Sequence, residues 1–387
     1  MRDLSRTLAL AAALAMSAAC GDPDAGGEAP ADSTATAAVA DSQAPPAPAT
    51  AAPGSYAGVP TGPATSLPAN ELGRIMVLEY HRTGSPEGEF VRTLDNFRKD
   101  LQSLYEGGYR PVTMRQVMNG DIDIPRGTTP VVFTFDDATR GQFYLRPDGS
   151  IDPNTMVGSW DSFHERNPAW AGGGVWCILP AAQHPSNFFG ETPDRGTPRE
   201  QREANIRKKV DWLVQNGHEI CNHTLYHARL DRGTDRQVQD WLGIGEDSIQ
   251  AYLPADYDIV TMALPLGMWP DTRSLAWHGS YRDGKTYDYQ VVLEVSGGAN
   301  VSPFDRAWDP HSVDRFIVAP GALEAQLQRW ERDPANRYVS DGDPRTVTFP
   351  QSAEARLSRE RLGGRTARAL PAVAAPAAAA PAAPPAP

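Results

Sequence analysis

The sequence is short of positive charge, with 36 lysines and arginines against 48 aspartates and glutamates in 387 residues. A net charge of -12 argues against a surface that tracks phosphates, which needs concentrated cations, so no nucleic-acid partner is expected. Cysteine is scarce, at three residues: Cys20, Cys177 and Cys221. The apolar run from Leu8 to Met16 is too short to span a bilayer as a permanent helix. From Gly21 to about Pro68 large apolar residues are almost absent. Such a segment cannot bury enough surface to offset its ordering entropy, so residues 20–68 read as a disordered tether. No internal repeat and no second core are visible. Tryptophan, by contrast, is plentiful at nine residues, and core packing is favoured over sugar stacking for any one of them.

The first residues read as an export signal. Arg2 and Arg6 precede the apolar run, and Ser17, Ala18 and Ala19 lead to Cys20. The stretch resembles the lipobox of bacterial lipoproteins, with Ser17 where leucine is commonest. The resemblance implies a signal peptide over 1–19 and a membrane anchor through lipid on Cys20. Gly21 after the cysteine leans toward the outer membrane; a periplasmic or extracellular location is the alternative. After export Cys177 and Cys221 either form a disulfide or stay as two buried thiols.

The folded body is expected over 69–350, followed by an arginine-rich and then Ala-Pro-rich tail over 351–387 that reads as disordered. Within the body, short apolar runs alternate with helical patterns. Ile75–Leu78, Val131–Phe135, Gly174–Leu179, Glu219–Cys221, Ile259–Leu264, Gln290–Val295 and Phe316–Val318 read as strands. Phe90–Gly107 and Arg207–Asn216 read as helices, each stopped by glycine. Alternation of this kind implies parallel pairing in an α/β barrel or layered sheet, with chemistry gathered where strands end.

Polar residues sit at those ends. Asp136 and Asp137 follow an apolar run, so one can hold a metal while the other accepts a proton. His223 and His227 are four apart; if the chain turns helical there, both imidazoles share one face and can bind one divalent ion. An Asp-His-His set with open positions suits a catalytic metal rather than a structural one.

These motifs resemble the polysaccharide deacetylases with the NodB-homology domain, a distorted (β/α) barrel. Thr134-Phe135-Asp136-Asp137 matches the family's T-F-D-D motif, and Gly217 to His227 matches G-H-E-I-x-N-H-T-x-x-H, the most specific match in the chain. Leu264-Pro265-Leu266-Gly267 resembles R-x-P-x-G. Leu78-Glu79-Tyr80-His81 resembles the L-x-Y-H opening of a circularly permuted branch, and Gly108 to Thr113 follows the family pattern. The resemblance covers about Leu78 to Ala319.

It implies Asp136 as general base, Asp137, His223 and His227 as metal ligands, and the Leu266 backbone N–H as a donor to the oxyanion. It implies His81 as the acid that protonates the leaving amine, with His278 and His311 in reserve. The implied cofactor is one divalent ion, zinc first, with cobalt, nickel or iron also suited to this donor set. The implied reaction is removal of N- or O-linked acetyl groups from a cell-surface or exported polysaccharide. An amidase acting on a non-sugar C–N bond and a glycan-binding pseudoenzyme are the alternatives.

Three positions depart from the family pattern. Ala263 stands where the third motif has arginine, leaving the base without its usual partner unless Arg282 or Arg315 substitutes. Ala138 replaces the glycine after the Asp pair. Cys221 replaces another glycine, and neither it nor Cys177 is expected to bind metal. The long segment from Gly141 to Arg207, with Trp160, Trp170 and Trp176, is expected to supply a helix, a strand and loops over the cleft.

Overall fold

The computed structural model describes residues 54–182 and 187–371. Eight parallel strands make its main sheet: β1 (Met76–Tyr80), β2 (Tyr109–Pro111), β3 (Thr129–Phe135), β4 (Val175–Ile178), β5 (Glu219–Asn222), β6 (Thr261–Ala263), β7 (Val291–Gly297) and β8 (Val313–Ile317). β1 pairs with both β8 and β3, so seven of them close into a ring ordered β1-β8-β7-β6-β5-β4-β3, with β2 appended to β3. This is the expected distorted (β/α) barrel.

Alternation along each strand sorts the side chains. Leu78, Tyr80, Phe133 and Phe135 face outward and pack with Phe97, Leu101 and Leu104 of α1 (Leu94–Glu106). Val77, Val132, Val175, Cys177, Cys221, Ala263 and Leu293 form a second, interior cluster. Cys177 and Cys221 stand opposite each other on β4 and β5 and form a disulfide, resolving the alternative left open by the sequence. Because inward positions recur every second residue, Glu79, Thr134 and Arg315 follow Val77, Val132 and Val313 toward the carboxyl end of the barrel.

Four sequence expectations need correction. The first helix starts at Leu94, capped by Thr93, whereas Phe90 lies before it in a turn. Glu87 draws the chain into this bend by accepting from Thr93 N and Asn96 Nδ2. The second predicted helix is longer, Arg199–Gln215 (α3), with α2 (Met156–Arg166) preceding it.

Order reaches further at both ends than the 69–350 boundary. Residues 54–68 are strapped to the barrel by its own polar groups: Tyr56 Oη donates to Pro111 O, and buried Arg110 donates to Thr61 O and Pro63 O. Composition misses this segment because hydrogen bonds and the packing of Tyr56 and Val59 hold it, with few large apolar residues of its own. Residues 351–371 also belong to the fold. There Thr366–Leu370 (β10) pairs in parallel with Thr346–Pro350 (β9), and Leu357 and Leu362 bury against Leu72, Phe304 and Phe349. The arginines that suggested a solvated tail are paired, Arg356 with Asp305 at 2.7 Å and Arg365 with Asp121 at 2.6 Å. The expected signal peptide, Cys20 and most of the tether lie outside the described residues, as does the last part of the tail.

Candidate functional site

Asp136 and Asp137 follow β3 directly, and the chain turns sharply there. Asp137 and Ala138 both take left-handed backbone conformations (φ 80° and 46°). Alanine adopts that region less readily than the family's glycine, by about 1 kcal/mol. The turn is cross-braced by buried Gln142, whose side-chain amide donates to the carbonyls of His81 and Asp136 at 2.7 and 2.6 Å. One side chain thus ties together the two segments that carry the candidate acid and base.

The two aspartates then part company. Asp136 meets Arg315 of β8 in a two-pronged ion pair, Nη1 to Oδ1 and Nη2 to Oδ2, both 2.8 Å. Burial would raise the Asp136 pKa, but Arg315 and then His223 outweigh it and hold the carboxyl well below the usual range. Asp137 faces the histidines instead. Burial, and then the Asp136 charge, push it up to about 7. One carboxylate is therefore firmly ionised, while its neighbour is held in reserve for a cation.

His223 and His227 come together without a helix, which corrects the geometry expected from their spacing. The chain after β5 is a turn with Thr224 and His227 left-handed (φ 68° and 62°). Asn222 Oδ1 accepts from Thr224 N, and Thr224 Oγ1 accepts from Ala228 N, which fixes the turn. The rings meet edge to face at 5.0 Å, and each Nε2 lies 3.7–3.8 Å from Asp137 Oδ1.

His223 Nδ1 sits 2.9 Å from Ala263 O, so it carries the proton and leaves the Nε2 lone pair free. His223 Nε2 and Asp137 Oδ1 are buried with no hydrogen-bond partner among the described residues. Donor atoms of Asp137, His223 and His227 all lie within 4.8 Å of one another. Orphaned lone pairs converging on one point fit a single divalent cation. Ala263, the position of the missing motif arginine, contributes its carbonyl to this arrangement, and of the two arginines considered as substitutes Arg315 is the one beside Asp136. Arg282 is exposed and takes no part.

His81 completes the group. Its Nε2 lies 4.0 Å from Asp136 Oδ2 and 3.4 Å from Glu79 Oε1, and its ring packs edge-on against Phe90 at 4.7 Å. Burial holds the imidazole down at about 4, neutral at ordinary pH. Leu266 is left-handed (φ 58°) in a tight turn after β6, with its side chain half exposed at the cleft. The following N–H groups of Gly267 and Met268 fold back onto Leu264 O and Pro265 O, whereas that of Leu266 makes no backbone hydrogen bond among the described residues.

The cleft, about 410 Å³, is lined by these residues together with Glu79, Arg82, Phe90 and Val295. All six residues expected from the sequence are thus brought to one cavity. The reserve acids are not: His278 is exposed beside Asp288, and His311 stacks on Trp277 at 4.5 Å. The long segment 141–207 supplies no lining residue among those described. Its tryptophans are core, Trp176 stacking on Phe135 at 4.0 Å and Trp160 and Trp170 packing edge-on against Phe133. Glu79, Gln142 and Val295 carry no role in the sequence reading. A glutamate inside the apolar run Met76–Tyr80 was the one available signal.

No sequence-family profile matches the chain, and no curated protein sequence does. Solved structures with a similar fold include a deacetylase from Streptococcus pyogenes in complex with acetate, 16% identical over 66% of this chain and 97% of that one, with a TM-score of 0.46. A polysaccharide deacetylase from Bacillus cereus is 14% identical over 66% of this chain and 68% of that one, with a TM-score of 0.46. A de-N-acetylase from Aggregatibacter actinomycetemcomitans is 14% identical over 64% of this chain and 95% of that one, with a TM-score of 0.41. At these identities and scores the likeness concerns the fold.

Proposed function

We propose that this chain is a metal-dependent hydrolase that removes N- or O-linked acetyl groups from a cell-surface or exported polysaccharide. The observation that carries the reading is the division of labour between adjacent aspartates, Asp136 locked to Arg315 and Asp137 turned to two histidines. Hydrolysis of an unactivated acyl bond needs a base kept ionised beside an electrophilic centre, and this pairing supplies both places.

Asp137, His223 and His227 would hold the ion, zinc first and cobalt, nickel or iron as alternatives. Once bound, it supplies Lewis-acid polarisation of the acetyl carbonyl. Asp136 takes the proton of the attacking water, and Arg315 keeps both carboxylate oxygens aimed while it does so. The Leu266 N–H is the donor available to charge developing on the carbonyl oxygen, a kind of contact worth about 3 kcal/mol. His81, neutral at rest, takes up a proton before giving one to the departing amine. Phe90, Leu266 and Val295 shield the reacting groups with apolar surface.

The polysaccharide substrate follows from the motif resemblance, and the deacetylase names of the fold neighbours agree with it. Export and a lipid anchor at Cys20 belong to the same proposal, with the outer membrane favoured over a periplasmic or extracellular location. The Cys177–Cys221 disulfide supports an oxidising compartment. One observation favours a second reading: among the described residues Phe90 is the only phenylalanine, tyrosine or tryptophan lining the cleft, a thin platform for a sugar chain. An amidase on a non-sugar C–N bond is therefore the alternative. The pseudoenzyme reading loses its motive, because Arg315 partners Asp136 although position 263 is alanine.

The test is acetate release from acetylated glucosamine oligomers and from small N-acyl amides, after metal removal and after reloading with zinc, cobalt or nickel. Metal-dependent release from the oligomers supports the proposal. Release from the small amides alone transfers it to the amidase, and release from neither refutes it.

A further inference from the structure

Glu79 has no role in the mechanism above, yet it lies at its centre. It is the fourth of β1's five residues, and strict alternation turns it inward with Val77, 2% exposed. Neither carboxylate oxygen makes a hydrogen bond among the described residues. Oε1 lies 3.4 Å from His81 Nε2, and Oε2 lies 3.3 Å from Arg315 Nε. Burying a carboxylate without hydrogen bonds costs several kcal/mol.

Charge balance with Arg315 does not account for it. That guanidinium already forms a two-pronged pair with Asp136, and its Nε donates to Glu294 O. A leucine at position 79 would leave Arg315 fully partnered.

Resting on the hydrolase reading, we propose that Glu79 is the positioning residue for His81, holding the ring toward the reacting groups and sharing one proton with it. Burial pushes Glu79 up to about 8 against the pull of Arg315, with the charges of Asp136, Asp137 and Glu89 adding to the rise. The other groups facing this pair are Arg315 of β8, and Arg82 and His227 at the cleft. A carboxyl that keeps its proton near neutrality stands next to an imidazole that burial keeps neutral, so the pair holds one proton between them. When the proton resides on His81, the Glu79 carboxylate stabilises the imidazolium, and from His81 the proton passes to the leaving amine. This differs from the task of Arg315, which serves the base.

The test separates these two duties by leaving group. An amide substrate needs a proton on the departing nitrogen, whereas 4-nitrophenyl acetate releases its phenolate without one. In the metal-loaded full-length protein, the isosteric Glu79→Gln should lower the amide-to-ester ratio of kcat by about 10-fold or more, with KM little changed. In a His81→Ala background the same substitution should add nothing. Independently of turnover, the His81 imidazole should titrate about one pH unit or more lower by NMR in Glu79→Gln. Equal loss on both substrates, full additivity with His81→Ala, or an unmoved His81 titration would each overturn the proposal. A wild-type protein inactive on both substrates would instead refute the hydrolase reading, and the NMR titration would still decide the Glu79–His81 pairing.

Discussion

Arg315 on β8 and Asp136 after β3 meet through two parallel 2.8 Å hydrogen bonds, although 179 residues separate them in the chain. Burial would lower the Arg315 pKa, but Asp136 and Glu79 raise it further, so the guanidinium stays charged in the barrel. Replacing it leaves the buried Asp136 carboxylate unpaired beside the candidate metal site. Arg315→Met is therefore expected to destabilise the fold by about 3–5 kcal/mol, read by denaturant titration. Arg315→Lys keeps the charge but loses the fork. It should retain metal binding while kcat falls on the order of 10-fold or more; an unchanged kcat would show that the two-pronged geometry is dispensable.

Metal affinity should depend on pH. Asp137 is pushed up to about 7, and a cation competes with its proton. Affinity measured by calorimetry should strengthen between about pH 5 and 8, with proton release on binding. Asp137→Ala and His223→Ala should each abolish stoichiometric binding, and retained stoichiometric metal in both would contradict the ligand assignment.

His218 gives a test of fold stability away from the cleft. Its Nδ1 accepts from Gly174 N and Trp176 Nε1 at 2.8 and 3.1 Å, and burial holds its pKa down at about 3. The unfolded chain binds a proton near the usual 6.5, so between pH 6.5 and 3 the unfolded state holds more protons. Stability contributed by this group is thus present above pH 6.5 and is lost as pH falls, by roughly 1.4 kcal/mol per pH unit. His218→Asn, which keeps an acceptor, should flatten the acid limb of the stability profile by one proton. An unchanged slope would mean the ring is already protonated in the fold.

The disulfide and the C-terminal segment make separate stability predictions. Cys177→Ala opens a cross-link between residues 44 apart, worth about 4 kcal/mol by loop closure. Reduction of the wild type should lower its thermal midpoint to that of the variant.

A chain ending at Pro350 loses the burial of Leu357 and Leu362, on the order of 4 kcal/mol, relative to one ending at Pro371. Equal midpoints for those two chains would restore the boundary read from composition.

Much of the site was legible because its residues cluster at strand ends within short motifs: Asp136 with Asp137, His223 with His227, and Leu266 after Pro265. The strands showed themselves as apolar runs, and their alternation with helices gave the barrel. What stayed hidden depends on contacts distant in sequence. Nothing near Arg315 distinguishes it from Arg282 until the ring closes β8 onto β1. Glu79 was visible only as an odd residue in an apolar strand, and Gln142 had no local signal. The strap 54–68 and the segment 351–371 were lost because partners distant in sequence hold them, Arg110 and Asp305 through polar contacts and Leu72, Phe304 and Phe349 through apolar packing.

The central claim is that Asp136 acts as base while Asp137 holds the ion. It is tested most directly by measuring bound metal and kcat for acetate release in one preparation of Asp136→Asn. The account predicts one metal per chain, as in the wild type, with kcat reduced by at least 100-fold. Wild-type turnover, or loss of the metal together with activity, would contradict it.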